Sequence, residues 1–169
     1  MFAIKRVRKC LGMQSCWQIY NSYVLPHLTY LLCIWGSAAS TQLNVLRVLQ
    51  NKAVKSIRGL PPLYPTSALY CHKYLSLGDL YRFSLMYTIY KIKYGIIKSN
   101  IEITPATNIH SHGTRNRHRF YTTSPRTELA SRHILYTGIV NFNLLPNNIK
   151  HETIVMNFKR KLKIFIFED

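Results

Sequence analysis

The segment from Ser40 to Pro62 constrains the fold most, because its pattern reads only as a helix. Leu43, Leu46, Ala53, Val54 and Ile57 recur at helical spacing and form an apolar side. Gly59 supplies a stop and Pro61-Pro62 forbids continuation, while Ser40 or Thr41 is expected to cap the start. Arg47, Asn51, Lys55 and Arg58 fall at i, i+4, i+8 and i+11, on a separate polar stripe.

The rest of the first half follows the same period. Trp17, Tyr20 and Val24, then Leu28, Leu31, Leu32 and Trp35, predict a helix from about Gln14 to Trp35 that Pro26 starts or kinks. A short helix is expected from Pro65-Thr66 to Leu75. Asp79 opens a longer one, with Leu80, Phe83, Tyr87, Tyr90 and Tyr94 on one core stripe and Gly95 as its stop. Residues 96–131 change character, towards Pro, Thr, Asn, Ser, His and Arg. They read as a basic linker or a hairpin arm, with a strand around Arg117–Thr123 and a partner at Arg132–Tyr136. A last helix is expected from Thr153 to Phe167, burying Ile154, Phe158, Leu162, Phe165 and Ile166 and exposing Lys159, Arg160 and Lys163.

The predicted fold class is therefore mainly α. It is an irregular helical bundle with a long basic loop or short β-hairpin and a C-terminal amphipathic helix. Three regions are expected: 1–95 helical, 96–131 the basic arm, and 132–169 a small module ending in a helix.

Charge narrows the function. Twenty-three lysines and arginines face six acids, a formal net charge of +17 on a chain that is 47% hydrophobic. A disordered tail would lack the apolar residues, and a folded body this basic calls for a polyanion, with nucleic acid first. Asp79 is the first acid in the chain. Solvated faces ordinarily mix both signs, so Arg47, Lys55 and Arg58 are candidate phosphate contacts. Arg115, Arg117 and Arg119 on the arm, with Lys159, Arg160 and Lys163 on the last helix, complete the candidate nucleic-acid-binding set.

Catalysis has little to stand on in the sequence. Two-metal phosphoryl transfer needs converging carboxylates, yet Asp79, Glu102, Glu128 and Glu152 are isolated and Glu168-Asp169 lie at the end of the chain. No nucleotide-binding or hydrolase motif is present. The expectation is that the chain is not an enzyme, uses no cofactor and holds no metal. The histidine cluster at His110, His112 and His118 has no cysteine beside it. Cys10, Cys16, Cys33 and Cys71 form no CxxC pair and read as buried, reduced thiols. The most apolar run, Tyr23–Trp35, contains Pro26 and His27 and is too short to span a bilayer, so no membrane partner is expected. The basic start lacks the serine richness of a mitochondrial presequence and reads as a solvated lead into the first helix. An intracellular place is expected, nucleus or cytoplasm ahead of the mitochondrion.

Several short stretches occur in a telling order. Tyr23-Val-Leu-Pro-His-Leu-Thr-Tyr30 is followed by Ile34-Trp-Gly36, and Leu46 leads into Gln50-Asn-Lys-Ala53 and Ile57. Then come His110-Ser-His-Gly-Thr-Arg115, Tyr136-x-Gly138, Asn143-x-Leu-Pro146 and Phe158-Lys-Arg-Lys-Leu162. Together they resemble the region C-terminal to the palm in reverse transcriptases of non-LTR retrotransposons, the jockey-like and LINE-type elements. The resemblance implies thumb and post-thumb segments that hold template and primer, with the palm and its paired aspartates lying before Met1. It also implies a partner in that missing palm, or self-association through Trp17, Tyr20 and Tyr23. One departure is Phe142, where the family often has tryptophan. A small basic RNA- or DNA-binding protein, organellar or domesticated from a transposon, is the alternative.

Overall fold

A computed structural model describes residues 2–66, 68–69, 74–98, 103–109 and 119–168. The chain divides into two compact units, Met1–Tyr81 and Arg82–Asp169. The described residues are mainly helical, as the periodicity predicts, and contain no β-strand.

In the first unit the helices are α1 (Phe2–Cys10), α2 (Met13–Ile19), α3 (Leu25–Thr29), α4 (Leu32–Trp35) and α5 (Ser40–Arg58). The expected helix from Gln14 to Trp35 is broken twice. Residues Tyr20–Val24 form a π-helical stretch in which the Leu25 N–H bonds the Tyr20 carbonyl five residues back. Pro26 has no N–H and its ring crowds the preceding turn, so the chain widens just before it. The second break is at Leu31, whose φ of 49° places it in the left-handed region. That break undoes the predicted stripe: Leu32 is buried, whereas Leu31 is half exposed.

Helix α5 runs as predicted and ends at Gly59, where φ is 67° and the Leu60 N–H returns to the Lys55 carbonyl at 3.0 Å. Its start differs. Ala39 holds the N-cap position and neither Ser40 nor Thr41 caps with its side chain. The buried face is Gln50, Asn51, Ala53, Val54 and Ile57, with Leu43 and Leu46 only partly covered. Asn51 therefore belongs to the core and not to the polar stripe. Ala53 and Ile57 pack with Ile4 of α1, Cys16 of α2 and Tyr20, and Trp17 and Tyr74 close the cluster in a stacked pair at 3.3 Å. Trp17 and Tyr20 are thus core residues, while Tyr23 is exposed.

Gln50 ties this core together. Its Nε2 donates to the Tyr20 hydroxyl at 3.2 Å and to the Leu75 carbonyl at 3.1 Å. Gly36 is forced for a different reason: a Cβ there would overlap the Tyr81 ring and the Leu32 carbonyl. The short helix expected from Pro65-Thr66 to Leu75 is not found among its described residues. Thr66 and Leu69 belong to a turn closed by the Leu69 N–H on the Thr66 carbonyl at 3.1 Å, Tyr74–Ser76 are irregular, and residues 67 and 70–73 lie outside the described residues.

Helix α6 (Leu77–Lys93) begins in a capping box. Ser76 Oγ accepts from the Asp79 N–H at 3.2 Å, and the Asp79 carboxylate accepts from the Ser76 N–H at 3.2 Å and hydroxyl at 2.6 Å. Its deepest residues are Leu85, Met86, Ile89 and Tyr90, so the core stripe is rotated from the predicted aromatic one. Leu80 and Tyr90 survive from that prediction as buried residues, Tyr90 stacking on Phe158 at 3.9 Å.

The second unit continues with α7 (Glu128–Ser131), α8 (Ile134–Leu144), α9 (Asn147–Lys150) and α10 (Val155–Glu168). The hairpin expected between Arg117–Thr123 and Arg132–Tyr136 is not formed. Ile134–Tyr136 are the first turn of α8, and Phe120 instead makes an isolated bridge to Pro105. Asn143 explains the choice: its side chain accepts from the Phe120 N–H at 3.0 Å and donates to the Phe120 carbonyl at 2.9 Å. One asparagine thus replaces a partner strand. Phe142 is fully buried between Phe120 and Phe158, an aromatic anchor in tryptophan's place. In α10, Phe158, Leu162 and Ile166 face the core and Phe165 is half-buried, while Ile154, just before the helix, is exposed.

Candidate nucleic-acid interface

A basic concavity of the first unit lies between α1 and α5. Along α1, Ile4 and Val7 turn to the core, which leaves Lys5, Arg8 and Lys9 on an adjacent face at i, i+3 and i+4. Along α5, burial of Ala53 and Ile57 leaves Lys52, Lys55, Ser56 and Gly59 together at i, i+3, i+4 and i+7. The two helices pack against each other, so these faces line one cleft of about 730 Å³, with Leu60 and Pro62 at its end. Five cations converge there.

Local structure holds the cleft open. Arg8 places its guanidinium where a Cβ on Gly59 would stand, against the C-terminal end of α5 whose exposed carbonyls favour a cation. Lys55 Nζ donates to the Pro62 carbonyl at 2.7 Å and so fixes the turn that forms the end wall. Lys5, Lys9 and Lys52 remain solvent-exposed. The first unit has a single acid, Asp79, and the capping box occupies it. No described carboxylate neutralises the cleft, so its field acts outward on a mobile anion.

The sequence-predicted residues are dispersed. Arg47 is exposed on α5, and only Lys55 of the predicted stripe enters the cleft. Arg58 turns to the following loop, its Nη1 donating to the Leu69 carbonyl at 3.0 Å. Arg115 and Arg117 lie outside the described residues. Arg119 is exposed in the second unit. On α10, Lys159 sits 4.7 Å from the centre of the Tyr87 ring, Lys163 stands 5.8 Å from the Phe167 ring, and Arg160 is exposed. Cation–π contact leaves an ammonium able to meet phosphate but gives it a structural role as well. Lys5, Arg8, Lys9 and Lys52 were missed by sequence reasoning. Their spacing was visible, but the pairing of α1 with α5 is tertiary.

Other expectations meet the structure as follows. Cys10 is exposed rather than buried, Cys16 is buried, Cys33 is half-buried, and Cys71 lies outside the described residues. The cluster at His110, His112 and His118 lies outside the described residues. Among the described residues no group of three His, Cys, Asp or Glu side chains could hold a metal ion, and no helix is long and apolar enough to cross a membrane.

Comparison with known proteins gives one informative relative. The RNA-directed DNA polymerase from the mobile element jockey of Drosophila funebris is 37% identical over 76 residues. That match covers 44% of this chain and 8% of the polymerase, so the chain corresponds to a small part of it. No protein-family model and no solved structure matches. The expectation that the chain is not an enzyme is corrected by this relative, which is itself a polymerase. Scattered carboxylates in one stretch of sequence say little about the enzyme to which that stretch is related. What the similarity supports is a region related to a retrotransposon reverse transcriptase.

Proposed function

We propose that the chain is a nucleic-acid-binding part of a non-LTR retrotransposon reverse transcriptase, corresponding to the thumb and the segment after it. It grips the phosphate backbone of RNA or DNA in the cleft between α1 and α5. The observation that carries this reading is the convergence of Lys5, Arg8, Lys9, Lys52 and Lys55 on one open concavity, in a unit whose only acid is capped. Ammonium and guanidinium groups on two helices recognise phosphate without reading bases, so binding is tolerant of sequence. The polymerase relative supplies the biological frame, since such an enzyme must hold template and primer.

Titration of the chain with labelled RNA and DNA of several sequences, over a range of salt, tests the proposal. Affinity is expected to fall steeply with salt and to vary little with sequence. Affinity that barely moved with salt would reject backbone binding.

A further inference from the structure

We propose that the second unit carries its own anion subsite, a pocket of about 200 Å³ that takes a single phosphate group between Lys93, Lys150 and His151. Phe120 and Phe142 form its apolar wall, and Pro105 and Thr107 complete the lining.

The two ammonium groups are built into the fold. Lys93 Nζ donates to the Lys150 carbonyl at 2.6 Å, and Lys150 Nζ donates to the Asn143 carbonyl at 2.8 Å. Lys150 is only 8% exposed. Each ammonium has three donors, so one carbonyl apiece leaves hydrogen-bonding capacity, and a carbonyl cancels no charge. The carboxylate next in sequence, Glu152, is held by Lys161 at 2.6 Å. Burial lowers the pKa of both lysines, and Arg119 and Lys93 lower that of Lys150 further. Like charges held close in a half-buried, aromatic-walled pocket are costly until an anion enters.

Phosphate fits this demand. Its double negative charge matches two lysines, and its tetrahedral oxygens accept from several directions. The Asn143 clamp on both polar groups of Phe120 fixes the wall, so the site is already formed.

The test is a titration of the full chain with inorganic phosphate, followed by NMR at the Thr107, Phe120 and His151 amides. Saturable shifts at these three amides are expected, with Lys93→Gln weakening the apparent affinity at least ten-fold and substitution of Lys98, an exposed lysine that does not line the pocket, by Gln leaving it unchanged. Should Lys93→Gln fail to fold, acylation of wild-type lysines read by mass spectrometry decides: phosphate must slow reaction at Lys93 relative to Lys98. Repeating the titration with a 5′-phosphorylated and a 5′-hydroxyl trinucleotide separates a terminal phosphate from an internal diester. Absence of saturable shifts, or an affinity untouched by Lys93→Gln, would overturn the proposal.

Discussion

Replacing Lys5, Lys9 and Lys52 together with glutamine should separate binding from folding. These three are the exposed cations of the cleft, and none anchors a loop. Each phosphate neutralised on duplex DNA contributes about 0.9 to the slope of log affinity against log salt, so losing three contacts should flatten it by up to about 2.7. Across a four-fold rise in salt, the wild type should then lose about 40-fold more affinity than the variant. Stability should change by no more than about 0.5 kcal/mol, because exposed like charges contribute little and glutamine keeps good helix propensity. Filter binding at several salt concentrations, with thermal melts as control, reads both quantities. A variant that folds normally and keeps the wild-type slope would refute the cleft as the contact.

Other substitutions probe the fold beneath that surface. Arg58→Gln should cost on the order of 1–2 kcal/mol in chemical denaturation, since it removes the charged donor from the buried Leu69 carbonyl. Ile57→Ala should cost about 2–5 kcal/mol, and Leu46→Ala clearly less, because Ile57 is fully buried and Leu46 is not. Asn143→Ala should release the Phe120 backbone, read as faster amide exchange there, before α8 itself loosens. Burial raises the pKa of Tyr90 and Tyr94 above the usual phenol value of 10.0. The folded state therefore keeps these protons where the unfolded chain loses them. Their contribution is complete below that value and is lost as pH rises through the folded pKa. Melts across this alkaline range should show Tyr94→Phe losing less stability than wild type.

Helix periods and glycine stops were legible in the sequence because they are local. Helix α5 between Ser40 and Gly59, and the Phe158-Leu162-Ile166 face of α10, rest on spacing that no neighbour overrides. Gly59 and Gly95 both take the left-handed conformation their positions demanded. The break at Leu31 was not legible, since a leucine carries no signal for positive φ. Nor was the outcome at Phe120, where alternation suggested a strand but one asparagine side chain, 23 residues away, satisfies the backbone instead. Gln50 and Asn51 look polar in the sequence and are buried, because Tyr20 and the Leu75 carbonyl supply Gln50 with partners that only the fold brings near. The candidate site followed the same rule. Charge excess and a basic helix pointed to nucleic acid, but a concave surface needs two elements, and Lys5, Arg8 and Lys9 acquire theirs only when α1 docks on α5.

Where nucleic acid touches the chain can be read directly by photo-crosslinking a thiouridine-containing RNA to the full protein and sequencing the linked peptides by mass spectrometry. The account predicts crosslinks in Phe2–Cys10 of α1 and in the C-terminal half of α5 from Lys52 onward, lost when Lys5, Lys9 and Lys52 are glutamine. Crosslinks confined to the second unit, with α1 and α5 unmarked, would contradict it.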